Sequence, residues 1–141
     1  AWVPQRVHLF HGDLRANLRL ACAGPVDDAT LLRALQAVGL GLPQDALPDG
    51  LDTPIGDGAA GVSGGQAQRI GVARALLSGA SLWLLDEPTA ALDEEARDRL
   101  LERLLPLARA AGASVLVASH DPVVLARCDR VVELKREGHS A

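Results

Sequence analysis

Apolar positions along this chain follow two rhythms. Behind Asp27-Asp28, Leu31, Leu32, Ala34, Leu35 and Val38 recur at intervals of one, three and four residues. That predicts a capped amphipathic helix over Ala29 to Val38, stopped by Gly39. Leu14 and Leu18 predict a short helix within Gly12 to Leu20, and Ile70, Ala73, Leu76 and Leu77 share one face of a helix over Gln66 to Leu77. Asp93 to Ala111 predicts a long charged helix with Leu100, Leu101, Leu104 and Leu105 inward, and Pro106 is expected to kink or split it. The second rhythm is the unbroken apolar run. Ser81 to Leu85 and Ser114 to Ala118 read as strands buried on both faces of a parallel sheet. Arg130 to Leu134 reads as a third strand, and Asp121-Pro122 opens a helix to about Arg127. Alternating strands and helices predict an α/β domain with a mainly parallel sheet. The Gly-, Pro- and Asp-rich stretch from Gly41 to Gly61 reads as an ordered loop.

Composition narrows the function classes. With 141 residues, 48% hydrophobic and 23% charged, the chain is too apolar for a disordered one. A net charge of −4 offers no general attraction to nucleic acid or anionic membrane, so no nucleic-acid partner is expected. The apolar stretch from Ala75 to Leu85 is broken by Ser78, Gly79 and Ser81, short of the ~20 residues a membrane helix needs. No basic region followed by an apolar run marks a signal peptide. Cys22 and Cys128 form no metal motif and read as reduced thiols. The chain starts at Ala1 and contains no Met, the expected mark of a removed start or of a fragment.

Three places carry candidate chemistry. Ligands of open α/β sheets sit at the carboxyl ends of the strands, where one run ends in Asp86-Glu87-Pro88. Adjacent carboxylates there suit a metal-bound phosphate: Asp86 could hold Mg²⁺ and Glu87 could orient and deprotonate a water. A pair favoured by a helix dipole is the other reading. The next strand ends in Ser119-His120-Asp121, where His120 is either structural or a hydrogen-bond donor to phosphate. Val62-Ser63-Gly64-Gly65-Gln66 opens a helix whose free amides could bind an anion, with the hydroxyl of Ser63 as an added donor. The alternative is a Ser cap with glycines in a turn. Gly56 to Gly61 matches G-x-G-x-x-G, but Pro54 weakens the strand that should precede a dinucleotide loop, and glycines follow where a helix should start.

Ser63-Gly64-Gly65-Gln66, then Leu82 to Glu87, then Ala91-Leu92-Asp93, then His120 resembles, in order and spacing, the nucleotide-binding domain of ABC-type ATPases. In that resemblance Gln5 matches the Q-loop, Asp86 ends the Walker B strand, Asp93 lies in the D-loop and His120 is the switch histidine. It covers about Ala1 to Gly138 and implies a P-loop NTPase-like α/β fold: a parallel sheet with helices on both faces plus the signature helical subdomain. The helical part is placed at about residues 12–80, the core α/β part at 81–134 and a polar tail at 135–141. Gly50 to Asp57, Ala59-Ala60, Gln66 to Arg69 and Ala73 to Leu77 are similar to one half of the bacterial heterodimeric thiol-reductant exporter, a family that exports cysteine and glutathione and supports cytochrome bd assembly. The first signature position is Val62, where the family more often has Leu.

The G-x-x-x-x-G-K-[ST] phosphate loop does not occur. The family carries it N-terminal to the Q-loop, so the resemblance implies the C-terminal part of a nucleotide-binding domain, its N-terminal part missing. It also implies ATP and Mg²⁺ as cofactors, a second nucleotide-binding domain as partner, membrane helices on the same full-length chain, and a place on the cytoplasmic face of the bacterial inner membrane. Ser63, Gly64, Gly65 and Gln66 would contact the partner's ATP and Asp93 would bridge the two domains. Gln5 would reach Mg²⁺ beside Asp86, Glu87 would be general base and His120 would hold the γ-phosphate. The isolated 141 residues are expected to show no ATPase activity above background.

Overall fold

The computed structural model describes residues 1–41, 47, 49–56 and 61–134. Its element order is β1 (Trp2–Val3), β2 (Gly12–Asp13), α1 (Leu14–Arg19), α2 (Asp28–Ala37), a 3-10 turn (Gly50–Asp52), β3 (Pro54–Ile55), α3 (Gly64–Leu77), β4 (Leu82–Asp86), α4 (Glu94–Ala110), β5 (Ser114–Ala118) and α5 (Pro122–Leu125). Side-chain caps start the helices as their first residues require. Asp13, Asp27, Ser63, Asp93 and Asp121 each accept a backbone N–H of the following turn.

One sheet runs β1-β4-β5, all parallel, and β2 pairs with β3 antiparallel. Every strand of the parallel sheet points its carboxyl end the same way. Val3, Trp83 and Leu85 are buried beside Ile70, Val72 and Ala73 of α3 and Leu100, Leu104 and Ala108 of α4 in one core. That core extends without a break into α1 and α2 through Leu14, Leu18, Leu31 and Leu35.

Four expectations differ from the structure. Strands β4 and β5 are buried on one face only: Leu82, Leu84 and Leu116, with Trp2, lie exposed on the other. No described helix covers that second face near them, so alternation replaces full burial. Arg130 to Leu134 is not a strand; all five residues are exposed and lack a ladder partner among the described residues. The helix expected to run to about Arg127 stops at Leu125. Pro106 does not split α4, which is continuous through it. Pro106 and Glu102, whose carbonyl it cannot serve, both lie on the exposed side, where water can satisfy that oxygen. The loop expected over Gly41 to Gly61 contains the 3-10 turn and β3, while 42–46, 48 and 57–60 lie outside the described residues. So do most of the glycine pattern from Gly56, the positions Asp57, Ala59 and Ala60, and the tail 135–141.

Candidate functional site

The register of the parallel sheet assembles the first cluster. Val3 pairs with Leu85 and Asp86 with Ala118. Counting on from these pairs, Gln5, Glu87 and Ser119 occupy equivalent places just past three neighbouring strand ends. Glu87 leaves its strand with φ +44, an unusual value for a residue with a side chain, and its N–H is anchored on the Ala118 carbonyl at 2.9 Å. This turn carries its carboxylate across to the end of β5. There Oε1 accepts the backbone N–H of His120 at 3.1 Å and lies 2.6 Å from His120 Nδ1, while Oε2 accepts the Ser119 hydroxyl at 3.1 Å. The Glu87 side chain is 18% exposed and that of His120 88%, so a held carboxylate sits beside an imidazole open to solvent.

Asp86 ends β4, half-buried, and Gln5 is exposed. Their carboxylate and amide oxygens are the hard donors Mg²⁺ prefers. Among the described residues no group of three or more His, Cys, Asp or Glu could hold a metal.

The second cluster is the start of α3. Ser63 caps it with a reciprocal box: its hydroxyl oxygen accepts the Gln66 N–H at 3.1 Å, and Gln66 Oε1 accepts the Ser63 N–H at 2.8 Å. Gln66 is thereby committed to the cap, whereas the Ser63 hydroxyl keeps its proton to donate. The turn before α4 lies against this helix start. A Cβ on Gly64 would stand 3.6 Å from Ala91 Cβ, and one on Gly65 would stand 2.9 Å from Leu92 Cδ2. Glycine therefore leaves the first-turn amides bare while allowing the Ala91-Leu92 turn to close on them. Ser63 and Gly64 are exposed, as is Asp93, whose side chain caps α4 through Ala96 N–H at 2.8 Å.

The structure thus joins Glu87 and His120 directly, sets Gln5 and Asp86 at the same sheet end, and groups Ser63 to Gln66 with the Ala91 to Asp93 turn. Sequence reasoning gave Ser119 no part in this. Its signal was position: a hydroxyl one residue before His120, where β5 ends beside β4. It also missed Asn17 and Arg74. Asn17 is 1% exposed and accepts from Phe10 N–H at 2.8 Å and Arg74 Nη2 at 2.7 Å. Arg74 also donates to the carbonyls of Asn17 and His8 at 2.8 and 2.7 Å, and burial lowers its proton affinity.

Comparisons with known proteins agree with this layout. A family model described as ABC transporter matches residues 1–90. A second, described as an AAA domain, putative AbiEii toxin of a type IV toxin–antitoxin system, matches residues 59–126. The chain is 44% identical over 131 residues to the glutathione/L-cysteine transport system ATP-binding/permease protein CydC of Escherichia coli, covering 92% of this chain and 22% of that protein. It is 41% identical over 132 residues to the ATP-dependent lipid A-core flippase of Bordetella pertussis, covering 94% and 21%. Among solved structures, a bacterial Atm1-family ABC exporter with ATP bound superposes with a TM-score of 0.78 at 26% identity, covering 89% of this chain and 22% of the other. The chain spans about a fifth of the length of these relatives.

Proposed function

The chain belongs to the ABC transporter family, and on that premise we propose that it is the signature-bearing, catalytic-carboxylate part of a nucleotide-binding domain that couples ATP hydrolysis to export. The observation that carries this reading is the placement of Glu87 at the carboxyl end of the sheet, its Oε1 2.6 Å from His120 Nδ1. Residues 12–80 supply the signature helix and its supports, and residues 81–134 supply the catalytic strand ends.

Asp86 and Gln5 would hold Mg²⁺ through oxygen, and the bound ion would draw charge off the β- and γ-phosphates. Glu87 accepts a proton from water as the water oxygen bonds to the γ-phosphorus; the bridging P–O bond breaks and its electron pair leaves with ADP. His120, open to solvent, donates to the γ-phosphate oxygens as charge spreads over them. The first-turn amides of α3 and the Ser63 hydroxyl face outward and bind the phosphates of ATP held by a second nucleotide-binding domain. Asp93 lies at the contact between the two domains. Membrane helices on the complete chain would carry the substrate, at the inner membrane with this part on its cytoplasmic face. No described helix is long and apolar enough to cross a membrane.

For the cargo we favour thiol reductants, cysteine or glutathione, on the 44% identity to the Escherichia coli transport protein and on the likeness of Gly50 to Asp57, Ala59-Ala60, Gln66 to Arg69 and Ala73 to Leu77, taken together, to that exporter family. The 41% identity to the lipid A-core flippase supports a second reading, an amphiphilic lipid cargo. Inverted membrane vesicles bearing the complete gene product separate the two. ATP-dependent accumulation of labelled glutathione or cysteine supports the first. ATP-dependent translocation of a lipid A-type amphiphile, with no thiol uptake, overturns it in favour of the second.

A further inference from the structure

Ser119 is half-buried between two fixed partners. Its Oγ lies 3.2 Å from the backbone nitrogen of Asp121 and 3.1 Å from Glu87 Oε2. A backbone N–H can only donate, so the hydroxyl oxygen must accept from Asp121 and is left to donate its own proton to the carboxylate. The direction of this relay is set by covalent structure. Asp121 is itself held, since its side chain caps α5 through Val123 N–H at 2.8 Å and lies 3.9 Å from Arg97 Nη1.

The two oxygens of Glu87 are then unlike. Oε1 accepts the backbone N–H of His120 and lies 2.6 Å from its Nδ1, whereas Oε2 has Ser119 as its one partner among the described residues. A carboxylate oxygen has about two lone-pair sites. Oε1, with two groups against it, is the more crowded oxygen, and Oε2, with one partner among the described residues, keeps a site open.

We propose that Ser119 is a positioning residue that aims Glu87 Oε2, the oxygen with the open lone pair, at the water it deprotonates. In this role Ser119 acts through Glu87: it holds Oε2, while the backbone N–H of His120 holds Oε1. The inference rests on the ATPase reading above and adds to it which oxygen is the base and what holds it.

The test is a double-mutant cycle in the complete gene product reconstituted in lipid, with ATP hydrolysis followed by release of labelled phosphate. Ser119→Ala is expected to lower kcat about tenfold with KM for ATP unchanged, because one orienting hydrogen bond to the base is lost. Ser119→Thr, which keeps the hydroxyl, recovers most of that loss. In a Glu87→Gln background, where no base remains to be aimed, adding Ser119→Ala changes the residual rate less than about twofold. A role confined to folding would lower the rate by the same factor in both backgrounds and lower Tm. That pattern, or a Ser119→Ala protein with wild-type kcat, overturns the proposal. Turnover indifferent to Glu87→Gln instead overturns the reading of Glu87 as the base, and the inference with it, while absence of any ATP turnover by the wild type overturns the ATPase reading.

Discussion

Arg74 on α3 donates through Nη2 to Oδ1 of Asn17 on α1 at 2.7 Å, across 57 positions of sequence. The same guanidinium holds the carbonyls of Asn17 and His8, and Asn17 in turn closes on both the N–H and the carbonyl of Phe10 at 2.8 Å. Helix α3 is thus bolted to α1 and to the segment that follows Gln5. Asn17→Ala leaves the Phe10 amide groups and one Arg74 nitrogen short of partners in a site that is 1% exposed at Asn17. We expect a loss of about 2–3 kcal/mol, measured as a lower midpoint of urea unfolding, with Asn17→Asp costing less because it keeps the acceptor for Arg74. A midpoint unchanged by Asn17→Ala would show that this cluster does not hold the two elements together.

Two glycines of α3 should respond oppositely to a methyl group. At Gly71 a Cβ would stand 2.6 Å from Val7 Cγ2 and 3.1 Å from Val3 Cγ1, atoms of stiff, β-branched chains. Overpacking of this kind costs about 1–3 kcal/mol, only partly offset by the ~1 kcal/mol a helix gains from Ala over Gly. At Gly65 the crowded atom is the tip of Leu92, which can swing aside, so Gly65→Ala should leave Tm nearly unchanged. It should still impair ATP turnover in the complete protein, because the added methyl group and the displaced Leu92 tip crowd the first-turn amides. Thermal melts and hydrolysis rates of both variants read the contrast; Gly65→Ala with full turnover would remove the turn's role.

Acid should loosen the contact between α1 and the 3-10 turn. Arg15 is paired with both Asp28 and Asp52, and its hydrogen bond holds the Asp52 carboxyl below its ordinary 3.8. Asp27 is likewise held below 3.8, by its bonds to Thr30. A depressed carboxylate contributes stability that is present above 3.8 and is lost as pH falls through its lower folded value. Stability should therefore decline below pH 3.8, and Asp52→Asn should flatten part of that decline. These groups are exposed, so the effect should be small and should shrink in high salt. Unfolding midpoints of both proteins between pH 5 and about 2.5, at low and high salt, check it.

Much of this was legible in residue order, for reasons that differ by element. Helix α2 announces itself because Asp27 is a cap and the apolar positions behind it keep one face; α3 is announced by its Ser63 cap, but not by one face, since every residue from Ala67 to Ala73 is buried, Gln68 and Arg69 included. Strands β4 and β5 were readable as apolar runs, but the exposure of Leu84 and Leu116 was not, because apolar composition does not say whether a second layer covers a strand. Arg130 to Leu134 has strand composition yet forms none, since a strand exists only through a partner's ladder and a surface to pack on. The Glu87 turn was invisible for another reason. Nothing in Asp86-Glu87-Pro88 states that the glutamate adopts φ +44 and so reaches Ser119 and His120. Local pattern found the carboxylate, and tertiary placement aimed it.

The central claim is that Glu87, gripped at the end of the sheet, is the base that activates water. The most direct measurement is Mg²⁺-dependent ATP hydrolysis by the complete gene product in lipid, wild type against Glu87→Gln, with nucleotide binding measured in parallel. The account predicts at least a ~100-fold fall in kcat, with ATP still bound by the variant. Turnover by Glu87→Gln at the wild-type rate would contradict it.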